Sequence, residues 1–254
     1  MKLIFICTLF FISNSGAAQK GTIAVSGSLS KNADVLNVKM GTQWFGKIWK
    51  FRFGDYEVVS SKLNWTTASN KASLFNRKTE STTTEKFSFL LTNHSADTAR
   101  VNAARRIKVN GLREIEILPH FSIGSDELLS ESGNFTAFIN INEDTANTWA
   151  LFLSVFRTNV EDKYYDAFLT NGERRILILP VTSNDNRSIP SLGYEFQENG
   201  EPLCAVQYYG GGAMGTNKNI IWLSKSIDKD MKLILAAAMT SLLQIKAASP
   251  SPGL

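Results

Sequence analysis

The feature that most constrains the fold is an apolar run near the C-terminus. Leu233 to Met239 reads Leu-Ile-Leu-Ala-Ala-Ala-Met and contains no polar side chain. A helix has 3.6 residues per turn, so a run of this length covers every side of it and no face can be left in water. Ser226 can cap the start, and Asp228 suits the positive end of the helix dipole. The sequence therefore predicts a helix over 228–246 that the rest of the fold must bury.

The residues that can bury it lie in strands that precede it. Apolar side chains recur at every second position, which is typical of half-buried strands. Asn171-Gly172 and Asn199-Gly200 mark two hairpins, because Asn-Gly supplies the positive φ values of a type I′ turn. We predict a mainly β chain: an antiparallel barrel of about ten or more strands with one hydrophobic C-terminal helix buried in or against it. The alternating stretches are 45–53, 87–91, 115–117, 135–141 and 149–155, and a last strand spans 220–223.

The end of the chain resembles a known fold. Gly193 to Leu243 contains two strands, a short linker with Asp228, and an alanine- and leucine-rich helix. This pattern resembles the tubby-like barrel superfamily of tubby proteins, phospholipid scramblases and LURP-one-related proteins. The resemblance implies a closed antiparallel barrel wrapped around the C-terminal helix; the lipid-binding lysines of tubby proteins cannot be placed on residues here. The Asn199-Gly200 hairpin and the helix also resemble small exported proteins of Bacteroidetes-type bacteria.

The N-terminus has the three parts of a signal peptide. Lys2 supplies the positive charge, residues 3–12 are apolar apart from Thr8, and residues 13–18 are small and polar. We expect cleavage after Ala18, or after Ala17, and a secreted or periplasmic protein. The apolar run is too short to span about 30 Å of hydrocarbon as an anchor.

The mature chain is expected to be one domain. Residues 19–40 are small and polar and predict a linker or a leader strand. Residues 41–246 form the barrel-like domain, and 247–254 form a flexible tail. Cys7 leaves with the signal, so only Cys204 remains and an intramolecular disulfide is impossible.

Composition argues against several classes of function. The chain has 27 Lys and Arg residues and 23 Asp and Glu residues, so its formal net charge is only +4. A net charge this small does not predict nucleic-acid binding. Two His and two Cys leave almost no ligands for a zinc site, so we expect no metal and no cofactor. The chain lacks a nucleophile elbow, and Cys204 lies in an apolar strand without the electropositive setting of a reactive thiolate. We therefore expect no catalytic residue, although a hydrolase with an unrecognised site stays an alternative.

The main candidate binding site is a basic patch. Its cations could meet anionic headgroups, or they could be the solvated charges of a strand edge. The patch comprises Arg105, Arg106, Lys108 and Arg113.

Two smaller candidates are a glycine-rich loop and two tryptophans. Gly211 and Gly212 lie in the loop 210–215, where a partner backbone could approach closely; a connection between strands is the other reading. Trp44 and Trp65 lie at the ends of elements and could bind sugar.

Together these observations predict an exported, non-enzymatic binding or envelope-associated domain. Its expected partner is an anionic lipid surface or an envelope protein, contacted through loops and basic patches. We expect no nucleic acid partner and no transmembrane helix in the mature chain. A carbohydrate-binding module is a further alternative.

Overall fold

The computed structural model describes residues 21–41, 48–64, 66–73, 76–112, 115–118, 121–123, 127–158, 164–184, 190–212 and 218–247. The described part is mainly β, as the sequence predicts. Its helices are α1 (Gly27–Asn32) and α2 (Lys229–Ala247). Its strands are β1 (Ala33–Asn37), β2 (Lys39–Met40), β3 (Phe51–Phe53), β4 (Tyr56–Leu63), β5 (Thr67–Ser73), β6 (Asn76–Thr92), β7 (Thr98–Leu112), β8 (Ile115–Leu118), β9 (Phe121–Ile123), β10 (Glu127–Ile141), β11 (Trp149–Thr158), β12 (Tyr164–Thr170), β13 (Arg175–Thr182), β14 (Leu192–Glu198), β15 (Glu201–Tyr209) and β16 (Ile220–Ser224).

The strands form one large antiparallel barrel. Their order around the wall is β1-β16-β15-β14-β13-β12-β11-β10-β7-β6-β4-β3-β2, with β5 paired to β6 and β8–β9 forming a separate hairpin. The first and last strands of this path, β1 and β2, are consecutive in the chain, and only Val38 separates them. The Val38 amide donates to the Asn219 carbonyl at 3.0 Å, and the Gly41 amide donates to the Lys50 carbonyl at 2.7 Å. One extended stretch thus joins both ends of the sheet and nearly closes the barrel, which limits exposed strand edges.

The helix α2 lies inside this barrel. Every residue from Leu233 to Lys246 is buried, and the helix contacts β7, β10 and β15, which lie on separate parts of the wall. Because a single curved sheet buries every face of α2, the helix must lie inside the barrel that this sheet forms. The predicted helix is therefore confirmed as the centre of the core, where it packs with the inward side chains of the strands.

The start of α2 corrects one detail of the sequence analysis. The Asp228 carboxylate accepts the Met231 amide at 2.8 Å, so Asp228 is the capping residue and the predicted cap, Ser226, is not. Ser226 lies two residues further from the helix, and its amide donates to the Ser224 hydroxyl at 3.3 Å.

Three buried polar residues of α2, Thr240, Ser241 and Gln244, have hydrogen-bond partners in the core. The Thr240 and Ser241 hydroxyls each donate to the carbonyl four residues earlier at 2.8 Å. The Gln244 side chain binds the backbone of Trp49 in both directions: its amide donates to the carbonyl at 2.6 Å, and its oxygen accepts the N–H at 3.2 Å. Gln244 therefore ties the helix to the wall just before β3.

The N-terminal segment covers part of the outer wall. Ile23 and Leu29 pack on the outer side of β15 and β16, with Trp222 in the same cluster. The buried carboxylate of Glu195 accepts the Ser26 amide at 2.7 Å and the Ser26 hydroxyl at 2.6 Å. The stretch that composition left open between a linker and a leader strand thus contains α1, β1 and β2.

The two Asn-Gly hairpins form with different turns. Asn199 and Gly200 have φ of 52° and 84°, as the predicted type I′ turn requires. In the other hairpin β13 begins at Arg175, and only Gly172 of the Asn-Gly pair has a positive φ, 95°. There the Asn171 side chain accepts the amides of Glu173 and Arg174 at 3.1 and 2.9 Å, so its side chain takes the place of a backbone turn.

Candidate functional site

The lumen of the barrel is occupied by α2. Phe51, Phe196 and Leu235 are fully buried there. Side chains that fill a barrel leave its outer wall and its loops as the surfaces for recognition. We therefore describe the predicted binding residues by the face of the wall on which they lie.

The alternation of β7 divides the predicted basic patch. Arg105 points inward and is 7% exposed, in line with buried Val101 and Ala103. Arg106 and Lys108 point outward with Arg100. Because the strand period is two, consecutive arginines lie on opposite faces. Arg113 lies outside the described residues.

Arg105 belongs to an interior charge cluster. Its Nη1 atom lies 3.7 Å from Oε2 of Glu85, its register partner on β6. Burial lowers the pKa of the Arg105 guanidinium, and the negative charges of Glu85 and Glu131 oppose that effect. Arg105 is thus a partly compensated interior charge beside Phe135 on β10, not a surface cation.

The outer wall beside it carries several cations. Lys108 forms a 2.9 Å ion pair with Glu80 and lowers the pKa of that carboxyl. Lys62, Lys86 and Arg106 are exposed, and their side chains make no hydrogen bond or ion pair within 4 Å among the residues that the structure describes. The charge of Arg106 nevertheless contributes to the lowered pKa of the Glu80 carboxyl. These three cations lie on the neighbouring strands β4, β6 and β7.

The same outer wall becomes aromatic on the next four strands. Cross-strand register gives two outward-facing rows, and we name the wall that carries them the amphipathic face. The first row comprises Lys86, Ala104, Thr136, Phe152, Phe168 and Leu177. The second comprises Lys62, Ser88, Asn102, Phe138, Ala150, Thr170 and Arg175.

The aromatic half of this face comprises Phe138, Phe152, Phe168 and Leu177; Phe152 and Phe168 are half-buried, and the other two are exposed. Phe138 is 48% exposed and Leu177 is 45% exposed. The rings of Phe152 and Phe168 are 5.1 Å apart, and the Arg175 guanidinium lies 4.1 Å from the centre of the Phe168 ring. Contiguous apolar surface of this kind commonly marks an interaction site.

Sequence reasoning missed this half, although a signal was present. It assigned the alternate positions of β10 and β11 to the core, and these are indeed inward. However, β11 reads Trp-Ala-Leu-Phe-Leu-Ser-Val-Phe, and β13 reads Arg-Ile-Leu-Ile-Leu-Pro-Val-Thr. Both strands have apolar residues on the outward positions as well. A strand in a barrel wall needs apolar side chains only on the face toward the core. The apolar side chains on the outward face of β11 and β13 were therefore the signal for an apolar outer surface.

The glycine loop has a structural contact. Gly211 has φ +75°, and a Cβ atom there would meet the carbonyl oxygen of Gly21. The close approach at Gly211 is thus made by the N-terminal segment of the same chain. Gly212 follows it at the end of the described stretch, and Trp44 and Trp65 lie outside the described residues.

Cys204, His94 and His120 are the side chains considered as a possible nucleophile and its base. Cys204 is fully buried, and burial together with the charge of Glu195 raises the pKa of its thiol. His94 lies in an exposed turn with φ 57°, and His120 lies outside the described residues. In the described ranges, no three His, Cys, Asp or Glu residues gather as metal ligands would, and neither helix is both long and apolar enough to cross a membrane.

No protein-family model, curated protein or solved structure matches this chain. The tubby-like resemblance therefore stays a prediction.

Proposed function

We propose that this chain is an exported, non-enzymatic binding domain of the cell envelope that contacts an anionic lipid surface. The observation that carries the proposal is the position of Lys62, Lys86 and Arg106. All three point outward on adjacent strands. Lys62 and Lys86 have no acidic partner among the described residues, whereas the charge of Arg106 also helps to lower the pKa of the Glu80 carboxyl. The central helix occupies the core of the barrel, and the outer wall is a surface that a partner can reach.

The expected strength of this contact follows from the charges. A Lys or Arg near an anionic membrane contributes about 1 kcal/mol, so three contribute roughly 3 kcal/mol. Lys108 and Arg100 add less, because Glu80 and Glu143 pair with them at 2.9 and 2.6 Å. The attraction is screened by salt over about 10 Å at 0.1 M. Binding should therefore be weak to moderate and sensitive to ionic strength.

Reversal of the three cations tests the proposal. We expect Lys62→Glu, Lys86→Glu and Arg106→Glu together to abolish flotation with phosphatidylglycerol-containing vesicles at low salt. The wild-type protein should float with these vesicles, should float less at high salt, and should not float with neutral vesicles.

The matched control reverses three exposed lysines elsewhere. Lys31, Lys218 and Lys229 are exposed and lie away from the amphipathic face. Their replacement by Glu gives the same change in net charge and should leave most of the flotation intact. Equal loss in both variants would mean that net charge alone drives binding, and no flotation of the wild type would favour a protein partner.

A further inference from the structure

We infer that the amphipathic face is a bilayer-insertion surface, whose aromatic half enters the headgroup layer of an anionic phospholipid membrane while the adjacent cations contact the phosphates. This inference rests on the proposed function and deepens it. It identifies the partner as a lipid bilayer and not as an acidic protein or another soluble polyanion.

Burial in the core does not explain the outward aromatic residues. On β11 the inward residues Leu151 and Leu153 already belong to the core at 0% and 1% exposure. The outward Phe152 lies on the opposite side of the same strand, in a row with Phe168. These outward rings therefore add apolar surface beyond what the lumen needs.

The chain covers another part of its outer wall but leaves the amphipathic face open. Over β15 and β16 the N-terminal segment buries outward residues under Ile23 and Leu29. Over β10 to β13, Phe138 and Leu177 stay 48% and 45% exposed. An uncovered apolar surface beside a covered one points to a partner that this chain does not supply.

Cationic and aromatic strands lie side by side around the wall. The row from Lys86 to Leu177 crosses six adjacent strands, or about 24 Å at roughly 4.8 Å per strand. Because the barrel wall is convex, the strands at the centre of a membrane contact lie deepest in the bilayer. The strands to either side lie farther from the bilayer core. Aromatic strands at the centre then reach the acyl boundary, and the cations of β6 and β7 sit at phosphate depth. Arg175 on β13 bounds the aromatic half on its other side.

Charge complementarity separates a bilayer from a second copy of this chain. In a symmetric pair of these faces, Lys62 and Lys86, which have no acidic partner among the described residues, would meet either apolar rings or like charges. The nearby acid Asp166 is already 3.8 Å from Arg175. A phospholipid interface has anionic groups directly above apolar chains. It can therefore pair with the cations of the amphipathic face and bury its aromatic half at the same time.

A tryptophan reporter tests insertion directly. In the full-length exported protein, Phe138→Trp places an indole on the aromatic half, and Val35→Trp places one on β1, far around the wall. The two positions are matched in exposure, 48% and 49%. The probe is a phosphatidylcholine and phosphatidylglycerol vesicle with brominated acyl chains. After subtraction of wild-type emission, we expect strong quenching for Phe138→Trp and none for Val35→Trp.

The outcomes separate the inference from the proposed function. If the variants float with the vesicles but neither indole is quenched, the cations bind lipid without insertion, and only the inference is overturned. If the wild type does not float at all, both fail.

A second pair of variants gives a measurement that does not depend on the reporter. Phe138→Ser with Leu177→Ser should lower vesicle affinity about tenfold or more, and the loss should persist at high salt, because burial of apolar surface is not screened. The control is Val35→Ser with Met40→Ser, whose residues are 49% and 46% exposed on β1 and β2. Unchanged vesicle affinity, with or without a change in molecular mass in solution, would overturn the inference.

Discussion

Tyr56 illustrates how a single side chain links the core to acidic residues in a turn and on β1. Its ring lies 5.4 Å from that of Phe53, one strand away. Burial raises the pKa of its hydroxyl to about 12, and the negative charges of Asp55 and Asp34 add to the effect. The folded protein thus holds the neutral phenol more firmly than the unfolded chain does.

This pKa difference predicts a loss of stability in alkali. The unfolded tyrosine ionises near pH 10 and the folded one near pH 12, so the contribution of Tyr56 is complete below pH 10 and is lost as the pH rises to 12. We expect roughly 1 to 2 kcal/mol, reduced by partial exposure of the side chain. The difference in unfolding free energy between wild type and Tyr56→Phe, measured by urea denaturation, should change across that window. A difference that is constant from pH 8 to pH 12 would contradict the prediction.

The central helix decides stability at the scale of elements. Leu235 is fully buried in the middle of α2, within the run from Leu233 to Met239 that contains no polar side chain. Leu235→Asp therefore buries an unpaired charge and should cost several kcal/mol, enough to prevent cooperative folding.

The measurement is thermal unfolding followed by circular dichroism. Lys229→Asp is the control, because Lys229 is exposed in the first turn of the same helix. The control should melt cooperatively near the wild-type temperature, whereas Leu235→Asp should not. A cooperative transition in Leu235→Asp would show that this position is not enclosed.

The same helix shows how far sequence reasoning reaches. The apolar run from Leu233 to Met239 predicts a buried helix because no arrangement of its faces leaves one polar. Alternation likewise predicts the inward face of β10 and β11. The two-residue period of a strand also places Arg105 and Arg106 on opposite faces. Which of the two points inward can be predicted only when it is known which positions of β7 face the core. The basic patch was instead read as one cluster along the sequence.

At the scale of the whole molecule, the least predictable feature is the closure of the barrel. β1 pairs with β16, which lies at the other end of the domain sequence, and no local pattern encodes such a distant pairing. The five residues of β1 also give little alternation to read, since its outward and inward positions are all partly or fully exposed. Polar composition there was compatible with a linker and with a strand.

The closure itself can be tested at Val38. Val38→Pro removes the N–H that donates to Asn219, whereas Val38→Ala keeps it and removes most of the side chain. We expect the proline variant to lose about 1 to 3 kcal/mol more unfolding free energy than the alanine variant, because the Asn219 carbonyl is left without its donor. Equal losses in urea denaturation would mean that the joint between β1 and β2 does not depend on this bond.

The closure of the barrel by β1 also affects when the chain can fold during synthesis. The barrel closes only when β1 meets β16, and α2, which fills the lumen, follows β16 in the chain. A polypeptide that emerges N-terminus first therefore carries an unpaired first strand until nearly all of it has emerged. Contacts between such distant segments form slowly. Slow closure would suit the export that we propose, because a polypeptide passes through a narrow translocation channel in the unfolded state.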